Sequence, residues 1–263
     1  MLDNAVNNHP CFREDARAFA RIHLPVAPKC NIACKYCVRK YDCMNENRPG
    51  VTSEVYTPDR AVEAYLQSKQ KLGERLTVVG ISGPGDPLAN WDVVCETLEK
   101  IRQLDRDITL CLSTNGLCLQ EHVEDLVRLN ARFVTVTVNA FNVETASKIY
   151  HPVGGSAEWY AEFLGKQWAG IAAATKAGIE CKINTVLIRG VNECDAIRIA
   201  EKAKQYGCNV QNLLPLIPLP ETCFDRNNVV SPNQLCALRK EASRYIRQIT
   251  HCQRCRADAC GSL

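Results

Sequence analysis

Beyond residue 75 the chain repeats one pattern: a short apolar or β-branched run, a polar turn, then a longer amphipathic stretch. A strand followed by a helix that leads back to a parallel neighbour buries both faces of the pattern, so it dictates an α/β fold with a parallel sheet. Strands are predicted over 21–28, 75–82, 107–113, 132–139, 180–188 and 209–217. Helices are predicted over 57–72, 90–104, 120–129, 157–177, 193–205 and 231–250. Thr57 and Pro58 supply an N-cap and a first-turn proline, and Gly178 a C-cap. Six βα units fall short of the eight that close a barrel. The expected architecture is a partial (β/α)6 TIM-like barrel. A doubly wound sheet is the alternative, disfavoured because no glycine fingerprint follows the first strand. No linker, repeat or low-complexity stretch divides the chain, so one domain over 1–263 is expected, with segments 1–20 and 251–263 joined to it.

Barrel enzymes place their chemistry at the C-terminal ends of strands. The first strand ends in Pro28-Lys-Cys30-Asn-Ile-Ala-Cys34-Lys-Tyr36-Cys37. Cysteines spaced this closely can converge on one iron–sulfur cubane, and three thiolates leave its fourth iron open to a small molecule. A zinc knuckle or incidental thiols are the alternatives. The chain has 16 cysteines in 263 residues, below the ~8–10% of a disulfide scaffold. Metal sites and buried reduced thiols are the expected use. A net charge of +3, with no dense Lys/Arg run, argues against a nucleic-acid partner. No apolar run reaches the length of a membrane span and no secretion signal opens the chain. A soluble cytoplasmic protein is expected.

The other polar strand ends supply candidate ligand contacts. In Gly83-Pro84-Gly85-Asp86-Pro87 the glycines let backbone approach a ligand, and Asp86 offers an acceptor to a cationic amine; a tight proline-rich turn is the plainer reading. Ser113, Thr114 and Asn115 precede Gly116 and offer hydrogen bonds to a ribose or carboxylate, or form an ordinary Asn-Gly turn. Thr135, Thr137 and Asn139 share one face of the fourth strand, opposite Val134, Val136 and Val138, and are expected to line a cavity. In the fifth strand Asn184, Val186 and Ile188 are placed to brace an adenine, with plain core packing as the alternative.

The remaining thiols divide by context. Cys252 and Cys255 form a Cys-x2-Cys pair in a polar tail, outside any apolar periodicity. Cys11 and Cys43 lie in irregular segments on either side of the first strand, and Cys111 shares the inward face of the third strand with Ser113. These are expected metal ligands. Cys95, Cys118, Cys181, Cys194, Cys208, Cys223 and Cys236 lie in or beside ordinary elements and are expected to pack as small hydrophobes. His9, beside Cys11, is a candidate iron ligand because imidazole can replace a thiolate. His23, His122, His151 and His251 show no partner pattern.

Together these segments resemble the NifB family of nitrogenase cofactor-maturation proteins, within the radical S-adenosylmethionine (SAM) superfamily. The resemblance rests on His9-Pro-Cys11-Phe12, on 21–28, on the cysteine loop with Tyr36 before its last cysteine, and on 39–50. It continues through 83–87, where Asp86 stands for the usual Glu, and through 111–116, 134–140, 182–188, 214–218 and the tail 252–259. It covers nearly the whole chain and stops where the radical SAM core ends, as in a short form without a carrier domain. Arg189 stands where a proline is expected and Cys260 where an apolar residue is.

The resemblance implies a [4Fe-4S] cluster on Cys30, Cys34 and Cys37 that cleaves SAM. It implies SAM contacts from Tyr36, Gly83, Gly85, Asp86, Ser113, Thr114, Asn115, Thr137, Asn139, Asn184, Val186 and Ile188. Two further [4Fe-4S] clusters are then substrates, fused with a SAM-derived carbide and an added sulfur into the eight-iron precursor of the nitrogenase cofactor. Cys11, Cys43 and Cys111, with His9, are expected to hold one substrate cluster and Cys252 with Cys255 the other; Glu46 and Arg48 are expected to gate the site or bind iron transiently. The implied partners are iron–sulfur cluster donors, a sulfur source, and cofactor carrier or scaffold proteins, with the chain itself a monomer. Two competing readings are a radical SAM enzyme with auxiliary clusters acting on a peptide, and an iron–sulfur carrier or electron-transfer protein. The first needs a peptide-binding domain beyond the six units, and the second leaves the 83–87 and 113–116 loops without a role.

Overall fold

Residues 9–12, 18–38, 49–251 and 256–262 are described by the structure, a computed structural model. The six expected strands form β1 (Ala20–His23), β3 (Leu76–Ile81), β4 (Thr109–Thr114), β5 (Phe133–Thr137), β7 (Glu180–Leu187) and β8 (Val210–Pro215). They are parallel neighbours in that order. Between and after them run α1 (Pro58–Leu72), α2 (Trp91–Leu104), α3 (Val123–Arg128), α4 (Val143–Ile149), α5 (Glu158–Lys176), α6 (Glu193–Gln205) and α7 (Pro232–Ala242). The fold is the expected partial barrel.

Alternation along the strands creates two environments. Ile22, Val79, Leu110, Leu112, Val134, Val136, Ile183 and Leu213 face the helices and pack with residues such as Leu98, Ile101, Leu126, Ile171 and Ala200. Each such side chain contributes about 1.5–3 kcal/mol by leaving water. The intervening positions, including Arg21, His23, Gly80, Cys111, Ser113, Thr135, Lys182, Asn184 and Leu214, line a lumen of about 520 Å³. Polar residues there leave the barrel hollow.

Four elements depart from the expected pattern. The cysteine loop contributes β2 (Ala33–Cys34), which pairs antiparallel with β6 (Tyr150–His151). Helix α4 is too short to show periodicity and is started by Asn142, whose side chain accepts from the Thr145 amide at 2.9 Å. The last helix ends at Ala242 rather than 250. Ile246 and Ile249 continue its apolar stripe in sequence, yet they enter two different cores. Three residues apart they share one face of a helix but opposite faces of a strand, and the chain turns into β9 (Arg247–Gln248) beside β8. Among the described residues, no helix is long and apolar enough to cross a membrane.

The fourth departure is β10 (Cys260–Ser262), which pairs antiparallel with β1 and covers its edge. The preceding residues anchor it. Ala257 donates its amide to Val51 O at 2.8 Å, and Asp258 accepts from the Ser53 amide at 2.8 Å and from Arg256 Nε at 2.7 Å. Burial pushes the Asp258 carboxyl up, but Arg256 and Ser53 outweigh it and hold it at about 2.

A carboxyl held below its unfolded value stabilises the fold above that value and loses the contribution as pH falls through its folded pKa. The tail tether is therefore expected to weaken between about pH 4 and pH 2. Asp258→Asn should flatten the acid limb of a Tm-against-pH curve, and equal acid slopes in the two proteins would refute the tether.

Candidate functional site

The cysteine loop is held by backbone on both sides. Beyond β1 the chain stays extended: Leu24 donates to Gly80 O at 2.9 Å and Ala27 bridges to Pro84. Gly85 and Asp86 then donate to Ala27 O and Lys29 O at 2.6 and 2.8 Å. A Cβ on Gly85 would lie 2.0 Å from Lys29 O, so only glycine permits this approach. A Cβ on Gly83 would meet Ala257 and Gly50 instead. Both glycines serve close contacts between protein loops. Within the loop, Cys34 pairs with Tyr150, the Lys35 amide donates to Ile149 O at 2.8 Å, and the Cys37 amide donates to Cys34 O at 3.1 Å.

Asp86 is likewise committed to the protein. It is 3% exposed. Its carboxylate accepts from Thr114 Oγ1 at 2.9 and 3.0 Å, from the Asn115 amide at 2.6 Å and from the Leu88 amide at 2.9 Å. Burial raises its pKa and these donors pull it back. Asp86 and Thr114 thus join the loop after β3 to the end of β4. The lock continues into the cysteine loop: Asn115 Nδ2 donates to Asn31 Oδ1 at 2.7 Å and lies 3.9 Å from Cys30 Sγ.

Two further carboxamides hold the strand ends. Gln167, fully buried on α5, donates Nε2 to Asn115 O at 2.6 Å and to Thr137 O at 2.9 Å. Asn139 donates Nδ2 to Tyr36 Oη at 2.8 Å and accepts from the Val186 amide at 2.8 Å. Burial, followed by the nearby Cys34, lifts the Tyr36 phenol well above its ordinary range. Sequence reading had no role for Gln167; its signal is an amide in the buried stripe of Phe163, Leu164, Trp168 and Ile171.

The lumen opens onto this loop. Tyr36 and Cys37 line it together with Ser113, Asn184 and Val186, and so do Cys111 and His9. His9 is buried between Phe12 and Phe133, with ring centroids 5.1 and 4.6 Å away. Thr137 and Asn139 are not among the lining residues, and Ile188 packs in a separate core with Ile32, Tyr150, Phe163 and Phe224. Ile188 therefore packs against the cysteine loop.

His23, passed over in the sequence, is on the wall. Its Nδ1 lies 3.0 Å from Arg256 O and 3.0 Å from Ser82 Oγ. A carbonyl only accepts, so Nδ1 carries the proton, and in the neutral ring Nε2 holds the lone pair. Gly80 makes room for the ring, since a Cβ there would lie 2.9 Å from Cδ2.

The expected ligands Cys43, Cys252 and Cys255, with Glu46 and Arg48, lie outside the described residues, as does the Cys11 side chain. Their flanks are placed. Pro49 lines the lumen, His251 Nε2 donates to Pro10 O at 3.1 Å, and Arg256 O meets His23. Among the described residues no three His, Cys, Asp or Glu side chains converge on a single metal ion. Three cysteine sulfurs on one loop, beside a lumen with a fourth at Cys111, are the soft donor set of an iron–sulfur cluster and fit that group.

The packing cysteines divide. Cys181 and Cys208 are buried, and burial pushes Cys208 up to about 12 and Cys181 well above its ordinary value, which makes them poor nucleophiles. Cys194, Cys223 and Cys236 are exposed, which corrects the expectation that they pack. Cys194 and Cys236 stand on helices whose buried stripes use other positions. Cys118 accepts from Asn31 Nδ2 at 3.3 Å and so touches the cysteine loop.

The radical SAM superfamily model matches residues 24–203. Over 98% of its length the chain is 41% identical to the FeMo cofactor biosynthesis protein NifB of Chlorobaculum tepidum, covering 62% of that protein. Over 97% it is 42% identical to NifB of Klebsiella pneumoniae, covering 57%. The chain thus spans less than two thirds of these curated relatives. The crystal structure of Streptococcus suis SuiB matches with a TM-score of 0.65 over 89% of this chain and 50% of that one, at 14% identity, a likeness of fold alone.

Removing the Asp86 carboxylate strands the Thr114 hydroxyl and the Asn115 amide in a buried place. Asp86→Ala is expected to cost about 3 kcal/mol of unfolding free energy. Chemical denaturation measures it, and a cost below about 1 kcal/mol would show that the lock does not hold the loops.

Proposed function

The chain belongs to the radical SAM superfamily, and on that premise we propose that it serves FeMo cofactor biosynthesis, the role for which its curated relatives are named. The reading is that it fuses two [4Fe-4S] substrate clusters with a carbide drawn from the SAM methyl group and one added sulfur. The product is the eight-iron precursor of the nitrogenase cofactor. One observation carries the proposal: Cys37 of the cysteine loop and Cys111 line the same lumen, together with His9 and His23.

Cys30, Cys34 and Cys37 would hold the resident [4Fe-4S] cluster, with SAM at its open iron, and this pair supplies a 5′-deoxyadenosyl radical for hydrogen abstraction. The chain's own residues do the rest by placement. Asn115 positions Cys30, Asn139 positions the Tyr36 hydroxyl, and Gln167 holds the ends of β4 and β5 at a constant spacing. His23 stands on the lumen wall with its Nδ1 proton turned to Arg256 O, so Nε2 is the nitrogen through which it would take a proton or iron. Ser113, Asn184 and Val186 stand on the lumen wall where SAM would lie.

Cys11, Cys43 and Cys111, with His9, are assigned to one substrate cluster, and Cys252 with Cys255 to the other. Fewer protein thiolates than cluster irons suit a product that must leave. Cluster donors, a sulfur source and a carrier or scaffold protein are the partners of this reading, with a monomeric chain in the cytoplasm. An iron–sulfur carrier is the competing reading, and Asn115, Asn139 and Gln167 speak against it because they organise the loop end of the barrel around one lumen.

Turnover of SAM deuterated in its methyl group should place deuterium in 5′-deoxyadenosine, read by mass spectrometry. Unlabelled 5′-deoxyadenosine would remove the methyl as hydrogen source, and none at all would favour the carrier. Separately, anaerobic reconstitution of the Cys252→Ala, Cys255→Ala double variant should lose about four irons and keep the resident cluster's spectrum. Full iron retention would overturn the tail assignment.

A further inference from the structure

Cys118, a packing thiol by sequence, stands at one end of a hydrogen-bond chain that leads to a cysteine of the loop. The half-buried Cys118 Sγ accepts from Asn31 Nδ2 at 3.3 Å, and Asn31 Oδ1 accepts from Asn115 Nδ2 at 2.7 Å. The second hydrogen of the Asn115 nitrogen then faces Cys30 Sγ, 3.9 Å away. Asn115 is 8% exposed, and its Oδ1 accepts from the Leu117 amide at 2.9 Å. Each carboxamide has its oxygen claimed on one side and its nitrogen on the other, which fixes its orientation.

The direction of this chain carries its chemistry. A reversed carboxamide at Asn31 would turn an N–H toward the Asn115 N–H, and two donors repel. Cys118 suits the accepting end: burial, followed by the nearby Glu121, raises its pKa, so a neutral thiol offers its sulfur lone pairs to Asn31. The opposite end turns an N–H dipole toward Cys30, a cysteine of the cluster-binding loop. Hydrogen bonds to the sulfurs are among the levers that set the reduction potential of an iron–sulfur cluster, and residues behind the ligands orient such donors. In a low-dielectric setting an oriented dipole acts more strongly than in water.

We propose that Asn31 and Cys118 are positioning residues that set the reduction potential of the resident cluster, by holding the Asn115 side-chain N–H toward Cys30 Sγ. Uptake of an electron adds negative charge to the cluster and its thiolates, and a donor at the sulfur stabilises that charge. The chain therefore raises the potential, and cutting it lowers the potential. Asn115 makes the contact; Asn31 and Cys118 act through it. The inference rests on Cys30, Cys34 and Cys37 holding the resident cluster, and it asks nothing of the substrate clusters or the carbide.

The test is a dithionite titration of the full chain, reconstituted anaerobically and read by EPR. The signal to follow is the one that SAM shifts, since SAM binds at the resident cluster's open iron. Asn31→Leu should move its midpoint to more negative potential, and Cys118→Ala should move it the same way by less. Cys118→Ser restores an acceptor and should keep the wild-type midpoint, a difference that loss of packing alone would not produce. Should Asn31→Leu fail to load iron, the two Cys118 variants, which lie outside the loop, carry the same expectation. With the heavy nitrogen isotope placed in asparagine side-chain amides, pulsed EPR of the reduced cluster should show a nitrogen coupling that Cys118→Ala weakens and Cys118→Ser retains. Wild-type midpoints in Asn31→Leu and Cys118→Ala, a shift to positive potential, an equal shift in Cys118→Ser, or no isotope coupling would each overturn the inference. A wild-type chain without a SAM-shifted signal would overturn the resident cluster and this inference together. The midpoints leave the deuterium result untouched, so the two readings fail separately.

Discussion

The buried carboxylate of Asp86 is the constraint on which the loop end of this barrel depends. A carboxylate taken out of water costs several kcal/mol unless donors replace its hydration. Here Thr114, Asn115 and Leu88 replace it with four contacts at 2.6–3.0 Å. Because these donors come from the loops after β3 and β4, satisfying one charge joins two strand ends. Asn115 then passes the constraint to Asn31 and Cys30, and the backbone of Gly85 presses against Lys29. The three cysteines thereby inherit their placement from hydrogen bonds that start at one buried carboxylate.

A second constraint is the hollow interior. The outward side of each strand builds an apolar core, while the inward side carries Arg21, His23, Ser113, Thr135, Lys182 and Asn184. Filling the lumen with Leu and Ile would give a more stable barrel with no chamber. Keeping it polar demands partners for each buried group. Some are protein, as where His23 meets Arg256 O and Ser82, and Asn139 meets Tyr36. Among the described residues some buried polar atoms have no hydrogen-bond partner, Asn184 Oδ1 and Asn212 Nδ2 and Oδ1 among them. The tail closes this chamber on one side: β10 covers β1, and Arg256 O fixes the His23 tautomer.

Much of this was legible in the chain. Strand–helix alternation implied the parallel order, and the spacing of Cys30, Cys34 and Cys37 marked the loop that the lumen faces. Alternation in 134–139 separated Val134 and Val136, in the core, from Thr135, in the lumen. Local motifs misled where a side chain's partner is distant in sequence. Nothing near Asp86 in sequence reveals that Thr114, 28 residues away, donates to it. Ile246 and Ile249 read as helix until β8 claims the backbone between them.

What the sequence determined by itself was every property that repeats or sits within one short segment: element type and order, the inward and outward faces of strands, and a thiol-rich loop at a strand end. These follow from the period of the backbone and the spacing of side chains, which neighbouring residues alone specify. Only the tertiary structure decided which polar groups face the chamber and which are consumed in holding it. Whether a buried donor meets an acceptor depends on geometry between segments far apart in the chain. His23 and Gln167 became visible, and Gly83, Gly85 and Ile188 acquired neighbours from distant segments, because strand register and the returning tail chose them.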